Sequence, residues 1–565
     1  MNATTKDRTS SWKRLLCCGI FVWFVINLLQ GVFTEIHEDE AYYALYGEHL
    51  AWGYFDHPPM VGLMTFLGNL FFQGNLGVRL LTVIASAITL LLWWRLLDEH
   101  RPDTKKVGLF FVLACSVTMF NIYGFVTTPD AALILFSTLF LLAYRRYLEE
   151  PSWNMALLMG LTMAGMIYSK YHAFLFLGLV VLSNFRLLKE SKFYVACLFT
   201  LILLIPHINW QFQADFPSFK YHLMQRSEPF QWRYFLEYLP NQLLIFNPFT
   251  FGAAVYVLIK KKATSVFERS LRFILVGFFV FFWLMTFRGH VEPHWTIVGV
   301  IPVVVLLYRH SFTDQGLRRY VKYAVLPSLL LIVVLRIALL TPLAEPYGFY
   351  GKERHYKAIE QIAGDSPVAF QGSFQQPSLY HYFTGKPSST LRSYYDRMTQ
   401  FDLWQFDQDW WGQRVFVQSE YSSLNGTHSV EGEAVQGFFA ERFQSANRLT
   451  TKLILSEMAS APEYAHGDTI MMDFVIENPN DHVVEVKHEQ LDLGLVLLFL
   501  DSGDHIYPEY AAITTIPARG ACQGTLKAVV GPDMVPGQNR VMLGISDRMA
   551  IFGSSENTVE LLIKK

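Results

Sequence analysis

Three carboxylates stand in a row at Glu38-Asp39-Glu40, directly after the first long apolar run of the chain. His37 precedes them, and Tyr42-Tyr43 and then Asp56-His57-Pro58-Pro59 follow. Acidic side chains at a membrane edge are costly unless a site or water keeps them solvated. A carboxylate so placed can act as a general base toward a hydroxyl. A second acid, Asp130, follows Thr127-Thr128-Pro129 where another apolar run begins. Proline at a first helical position makes helix capping an equally good explanation for it. Lys170-Tyr171-His172 interrupts a further apolar stretch, and Arg288-Gly289-His290-Val291-Glu292-Pro293-His294-Trp295 is a polar connection between two more. Snorkelling or a wetted loop accounts for any one of these alone. As a set, Asp39 and Asp130 supply acids, and His57, Lys170, Arg288 and His294 supply cationic or polar groups. That combination suits a hydroxyl nucleophile and an anionic leaving group such as a phosphate.

The elements that must hold these residues are membrane helices. The chain has 565 residues, 52% hydrophobic and 17% charged, with mean hydropathy +0.25. Soluble proteins carry about 25% charged residues. The formal net charge of −2 gives no reason to expect a nucleic-acid partner. Four of the five cysteines lie in apolar runs, so neither a disulfide framework nor a CxxC metal pair is indicated. No P-loop is present, and nothing suggests ATP or NAD.

Lys6, Arg8, Lys13 and Arg14 precede the apolar run from Leu15 to Phe33, and no small-x-small site ends it, which reads as a retained signal anchor. Runs long enough to span, about 17–25 residues, or somewhat shorter, fall near 15–33, 78–97, 107–123, 130–147, 154–169, 173–185, 193–210, 236–258, 271–287, 296–308 and 323–340, about eleven helices. Met60–Phe72 is too short and reads as an interfacial helix. With the N-terminus inside, the inner loops collect Arg101, Lys105, Lys106, Arg145, Arg146, Arg186, Lys189, Lys192, Lys260–Lys262, Arg309, Arg318 and Arg319. The outer loops carry only Lys220, Arg226, Arg233 and Arg288.

After residue 340 the composition turns mixed and polar, and by the same alternation this part lies outside, in the periplasm or its equivalent. Residues 341–455 read as a mixed α/β segment, with a helix at Arg354–Ala363. Residues 456–565 read as a β-sandwich, with strands at Asp468–Glu477, Val483–His488, Leu491–Leu500, Gly524–Val530, Asn539–Ile545 and Asn557–Ile563.

Five motifs carry a family resemblance: Asp39-Glu40; Tyr54-Phe55-Asp56-His57-Pro58-Pro59; Thr128-Pro129-Asp130; Tyr168-Ser169-Lys170-Tyr171; and Glu292-Pro293-His294-Trp295. The layout over residues 10–310 resembles the polytopic glycosyltransferases of the GT-C type that use a polyprenyl-phosphate sugar. Protein O-mannosyltransferases and the transferases that add aminoarabinose to lipid A are among them. The resemblance implies an inverting transfer from a polyprenyl-phosphate sugar to a hydroxyl of a protein, lipid or glycan, at the outer face of the cytoplasmic (inner) membrane. Asp39 would be the base, with Asp130 as the second catalytic acid. Glu40, His57, Lys170, Tyr171, Arg288 and His294 would contact substrate or the donor phosphate. In the lipid A branch the residue before Pro-Pro is a phosphate-binding lysine, whereas here it is His57. The resemblance fixes no cofactor and leaves a divalent metal open; His37, Glu38 and Asp39 are the candidates to hold one, without a fixed spacing signature. A transporter or flippase of a lipid-linked substrate is the rival reading. The clustering of polar groups at one face and the lack of an inverted repeat oppose it.

The topology is testable with single cysteines. Ser422→Cys is expected to react with an impermeant thiol reagent in intact cells, and Lys261→Cys to stay protected; the reverse pattern would overturn the orientation.

Overall fold

The computed structural model describes residues 3–222, 229–391, 398–419, 426–444, 449–454, 462–486, 493–546, 551–553 and 558–564. Arg226, Ser422, residues 487–492 of the expected strands and Asn557 lie outside the described residues. The chain divides into two compact units, Met1–Lys352 and Glu353–Lys565.

The first unit is helical. Its helices are α1 (Ala3–Phe33), α2 (Glu38–Glu48), α3 (Met60–Asn69), α4 (Gly74–Leu97), α5 (Thr104–Cys115), α6 (Thr118–Ile122), α7 (Pro129–Glu149), α8 (Trp153–Ser169) and α9 (His172–Ser183). They continue with α10 (Ser191–Gln213), α11 (Pro217–Lys220), α12 (Trp232–Phe246), α13 (Pro248–Lys260), α14 (Val266–Met285), α15 (Val300–His310), α16 (Gln315–Tyr320) and α17 (Leu326–Ala338). Side-chain caps at Asp103, Ser152 and Ser265 fix the starts of α5, α8 and α14 by accepting backbone N–H groups that would otherwise lack partners.

By length and hydropathy, six described spans reach across a membrane, and a seventh exists if α12 and α13 count as one. The chain is thus a multi-pass membrane protein. Sequence alone suggested about eleven spans; α8 at 17 residues and α9 at 12 are among those below the length that qualifies. Burial separates centre from rim. The most apolar windows of α4 and α7 are 61% buried, against 28% for α1, α10 and the α16–α17 span. α4 and α7 therefore form the middle of the bundle, and the others offer broad apolar faces suited to lipid.

The expected span 236–258 is not one helix. It breaks at Asn247, and the two halves meet at 103°. Pro248 disfavours helical geometry at the residue before it. Asn247 adopts φ 66, accepts the Phe249 N–H at 3.1 Å and donates to Ser328 Oγ at 2.8 Å. Residues 341–352 also differ from expectation, since they pack with the helices. A 3-10 turn at Pro342–Tyr347 places Ala344 among Val83, Phe125, Val126 and Leu339.

The second unit begins with α18 (Lys352–Ala363), α19 (Gln375–Thr384) and α20 (Gln400–Trp404) around a five-stranded sheet. That sheet runs β2 (Ser388–Leu391), β1 (Val368–Gln371), β3 (Val415–Gln418), β5 (Glu433–Ala440), β4 (Gly426–Val430), with β1 parallel to both its neighbours. A β-sandwich follows. One sheet is built on β6 (Thr450–Ile454), β8 (Thr469–Glu477) and β14 (Ala521–Val529), and the other on β10 (Gly494–Phe499), β15 (Gly537–Ser546) and β17 (Val559–Ile563). Short strands β7 (Glu463–Tyr464), β9 (Val484–Glu485), β11 (His505–Ile506), β12 (Glu509–Tyr510), β13 (Thr515–Ile516) and β16 (Ile551–Gly553) complete the set. Burial alternates along β8, and Ile470, Met472, Phe474 and Ile476 meet Leu495, Leu497, Leu543 and Leu561 in one core. β6 pairs with β8, so the sandwich starts at Thr450, before the expected boundary at 456.

Candidate active site

The site is built outward from a buried ion pair. Glu40 in α2 and Arg79 in α4 are both 0% exposed. Arg79 donates from Nε to Glu40 Oε1 at 2.8 Å and from Nη2 to Oε2 at 2.5 Å. Its other N–H groups reach the carbonyls of Gly31 (3.0 Å), Thr34 (2.6 Å) and Glu35 (3.0 Å). All five guanidinium donors are thereby used. Glu40 also accepts the backbone N–H of Thr127 at 2.8 Å and of His37 at 3.1 Å. One carboxylate thus ties together the end of α1, the start of α2, the middle of the bundle and the turn before α7. Sequence reasoning gave Glu40 a substrate or phosphate contact. The structure corrects this: the carboxylate is enclosed and fully engaged, and it positions its neighbours.

The carboxylates were expected on a loop, and they occupy the first turn of α2. His37 caps that helix, its Nδ1 accepting the Asp39 N–H at 3.3 Å, while Glu40 reaches back to the cap backbone in a capping box. The positive end of the helix dipole favours acids there. The chain after α17 returns to this turn. Lys352 donates its N–H to Glu35 Oε1 at 2.9 Å and its Nζ lies 3.4 Å from Glu38 Oε2; the Phe349 ring packs 4.9 Å from His37.

Of the three acids Asp39 is the most exposed, with 43% of its side chain accessible; Glu38, at 37%, faces Lys352. Crowding by protein desolvates the carboxyl and raises it above the ordinary carboxylate value; His37 opposes that shift, and Glu38, Asp56 and Glu292 reinforce it.

Tyrosines fix the Asp56-His57 loop onto α2. Tyr46 OH donates to Asp56 Oδ1 at 2.6 Å, Tyr54 OH donates to the Tyr46 carbonyl at 2.7 Å, and the two rings stack at 3.8 Å. His57 Nε2 is 3.2 Å from Tyr43 OH. α3 closes on α2 at Gly47, where a Cβ would come within 2.5 Å of Thr65 Oγ1.

Asp130 sits in the first turn of α7, but it is not the cap. Thr128 holds that position and makes no side-chain cap bond. Asp130 Oδ2 instead accepts Lys170 Nζ at 2.7 Å, with His294 Nε2 3.9 Å away. Asp130 is 1% exposed and Lys170 6%. Asp130 Oδ1 has no hydrogen-bond partner among the described residues. Lys170 ends α8 in an extended conformation, which breaks the apolar stretch in two and brings its side chain to α7. Its ammonium is therefore committed to Asp130. The Tyr43 hydroxyl lies within electrostatic reach of Asp39, Asp56, Tyr123 and Asp130, so the acids of α2, of the Asp56-His57 loop and of α7 surround one phenol. Arg288 is exposed on a 3-10 turn, on the same connection that carries Glu292 and His294.

Tyr171, expected at the substrate or donor phosphate, is held in a polar cluster at the edge of a cavity. Its OH is 3.1 Å from His207 Nε2 and accepts Gln211 Nε2 at 3.0 Å; His207 Nδ1 lies 2.6 Å from the Trp52 carbonyl. These groups edge an apolar cavity of about 410 Å³ between α8, α9 and α10, lined by side chains such as Met163, Ile167, Leu201 and Leu204.

His37, Glu38 and Asp39 do not converge as metal ligands. His37 Nδ1 serves the helix cap and Glu38 faces Lys352, and no group of three His, Cys, Asp or Glu side chains placed to hold an ion occurs among the described residues.

Sequence reasoning missed Arg79, although a lone arginine inside an apolar run was the available signal, since such a charge demands a partner. It also missed Asp56 and Glu292 as contributors to the local charge, and His207, whose partner Tyr171 is 36 residues away.

Residues 56–210 match the dolichyl-phosphate-mannose-protein mannosyltransferase family. The chain is 25% identical over 332 residues to the lipid A galacturonosyltransferase RgtD of Rhizobium johnstonii, covering 54% of this chain and 68% of that protein. Its fold is similar to crystal structures of ArnT from Cupriavidus metallidurans, in the apo state (TM-score 0.55, 13% identity) and bound to undecaprenyl phosphate (TM-score 0.53, 14% identity). In both cases the match covers 76% of this chain and 98% of the other.

Removing one partner of the buried pair is expected to cost about 3–5 kcal/mol, because a charge is left uncompensated. Arg79→Met should therefore lower the thermal unfolding temperature in detergent sharply, and Arg79→Met combined with Glu40→Met should recover part of the loss. Wild-type unfolding by Arg79→Met alone would show that the pair does not organise the site.

Proposed function

We propose that this membrane glycosyltransferase of the GT-C type moves a sugar from a polyprenyl phosphate to a hydroxyl of a lipid, glycan or protein at the outer face of the cytoplasmic membrane. The observation that carries the reading is the placement of Asp39. It is the most exposed acid of a capped turn whose backbone is fixed by Glu40 and Arg79, and its neighbour Glu38 faces Lys352. A general base needs such aim as well as a suitable pKa. The solved ArnT relative that contains undecaprenyl phosphate and the relative named for lipid A support a lipid-phosphate donor and a lipid acceptor. The apolar cavity beside Tyr171 and His207 offers room for part of an isoprenoid chain. The basic loops at the other end of the bundle support an outward-facing site and an extracytoplasmic second unit.

In the proposed step, Asp39 takes the acceptor hydroxyl proton as the oxygen attacks the anomeric carbon. The bond from that carbon to the phosphate oxygen breaks, and polyprenyl phosphate leaves with the electron pair from the opposite face. Configuration inverts. Asp130, enclosed and with Lys170 as its counter-charge, is assigned a positioning role beside the donor sugar. The departing phosphate is assigned to His57, His294 and Arg288, which can carry positive charge and stabilise it.

Purified protein incubated with a radiolabelled polyprenyl-phosphate sugar tests the reading. Label on an acceptor supports it; movement of intact donor across a vesicle bilayer without transfer would replace it with transport. A raised carboxyl pKa also has a signed consequence. A base works only when deprotonated, so kcat/KM is expected to fall as pH drops, beginning above the usual range for an aspartate. An acidic limb at the ordinary aspartate value or below would argue against Asp39 as the base.

A further inference from the structure

The far end of the bundle holds a second cavity, of about 530 Å³. Asp130 opens α7, and Arg145 and Tyr147 lie near its other end, about 22–26 Å further along at 1.5 Å per residue. Arg145, Tyr147, Glu149, Arg186, Glu190 and Arg309 line the space. Most of these charges are already paired or exposed. Arg145 binds Asp98 and Glu149, and Arg186 is at the surface.

Arg309 is different. It is partly buried at the end of α15 and held against the Phe267 ring at 5.9 Å. Among the described residues no hydrogen bond or ion pair engages its guanidinium, and the acids that act on it from a distance, Glu268 and Asp98, are each paired elsewhere. The neighbouring acid Glu268 is taken by Arg272 at 2.9 Å and His310 at 2.9 Å. Tyr147 adds an independent sign: it is 2% exposed, and its hydroxyl has no hydrogen-bond partner among the described residues. A guanidinium and a phenol, both without partners at one cavity, ask for an anion with several acceptor oxygens.

The surroundings indicate where that anion comes from. Trp153 (55% exposed), Tyr194 (55%), Phe185 (61%) and Leu188 (44%) stand out around this end, and Lys192 lies over Trp153 at 5.6 Å. Exposed aromatics with lysine mark the level of lipid headgroups. We propose that this cavity binds the phosphate of an anionic membrane lipid, with Arg309 and Tyr147 donating to its oxygens.

The full-length protein, purified in detergent, tests this by native mass spectrometry with added phosphatidylglycerol or phosphatidylcholine, and by thermal unfolding with inorganic phosphate. The expected result is retention of phosphatidylglycerol in preference to phosphatidylcholine. Arg309→Gln should weaken retention about tenfold or more and Tyr147→Phe less, in keeping with lost hydrogen bonds to a charged group. Inorganic phosphate should not shift unfolding. Unchanged retention in both variants would overturn the proposal, as would equal retention of the zwitterionic lipid. Stabilisation by inorganic phosphate that Arg309→Gln removes, without lipid retention, would assign the cavity to a soluble anion and overturn the lipid reading. Should Arg309→Gln not fold, Tyr147→Phe and Arg309→Lys decide the same question.

Discussion

Glu40 and Arg79 carry opposite full charges in a space that water does not enter. Neither could remain there alone, because an unpaired buried ion costs several kcal/mol. The remaining hydrogen bonds of the pair are met by backbone from several segments: Gly31 at the end of α1, Thr34 and Glu35 just after it, His37 before α2, and Thr127 before α7. Satisfying the charges therefore fixes these segments relative to one another. The aim of Asp39 and the place of Asp130 both follow from it. Specificity of position, more than net stability, is what such a pair supplies in this bundle.

Around that lock the polar groups are layered. Tyrosines of α2 and of residues 51–57 hold Asp56 and His57 in place, and the Lys170–Asp130 contact joins α7 to the break between α8 and α9. The strand of chain leaving α17 reaches the same turn through Phe349 and Lys352. The first acidic turn is thus held from α1, α4 and the segment after α17. This arrangement leaves Asp39 exposed, and encloses Asp130 with one of its oxygens lacking a hydrogen-bond partner among the described residues.

Much of the architecture was legible because it rests on hydrophobic run length and strand alternation. The helices fall where apolar runs do, and β8 alternates as its sequence does. Contacts distant in sequence were less so. Nothing local ties Glu40 to Arg79 or Lys170 to Asp130, and the motif that singled out Glu40 could not distinguish a ligand from a lock. Short-range chemistry also misled at two places. Three acids after an apolar run look like a loop, yet a histidine cap and a back-bonding glutamate make them a helix start. A continuous apolar run at 236–258 hides the break that Asn247-Pro248 imposes.

The central claim is that Asp39 removes the acceptor proton. Asp39→Asn keeps size and hydrogen-bonding atoms but cannot take that proton. Turnover should be measured at saturating donor and acceptor, alongside donor binding to the same preparation. Normal folding and donor affinity are expected, with transfer reduced on the order of 10²–10⁴-fold. Near wild-type turnover by this variant would contradict that claim and move the base to another acid of the site.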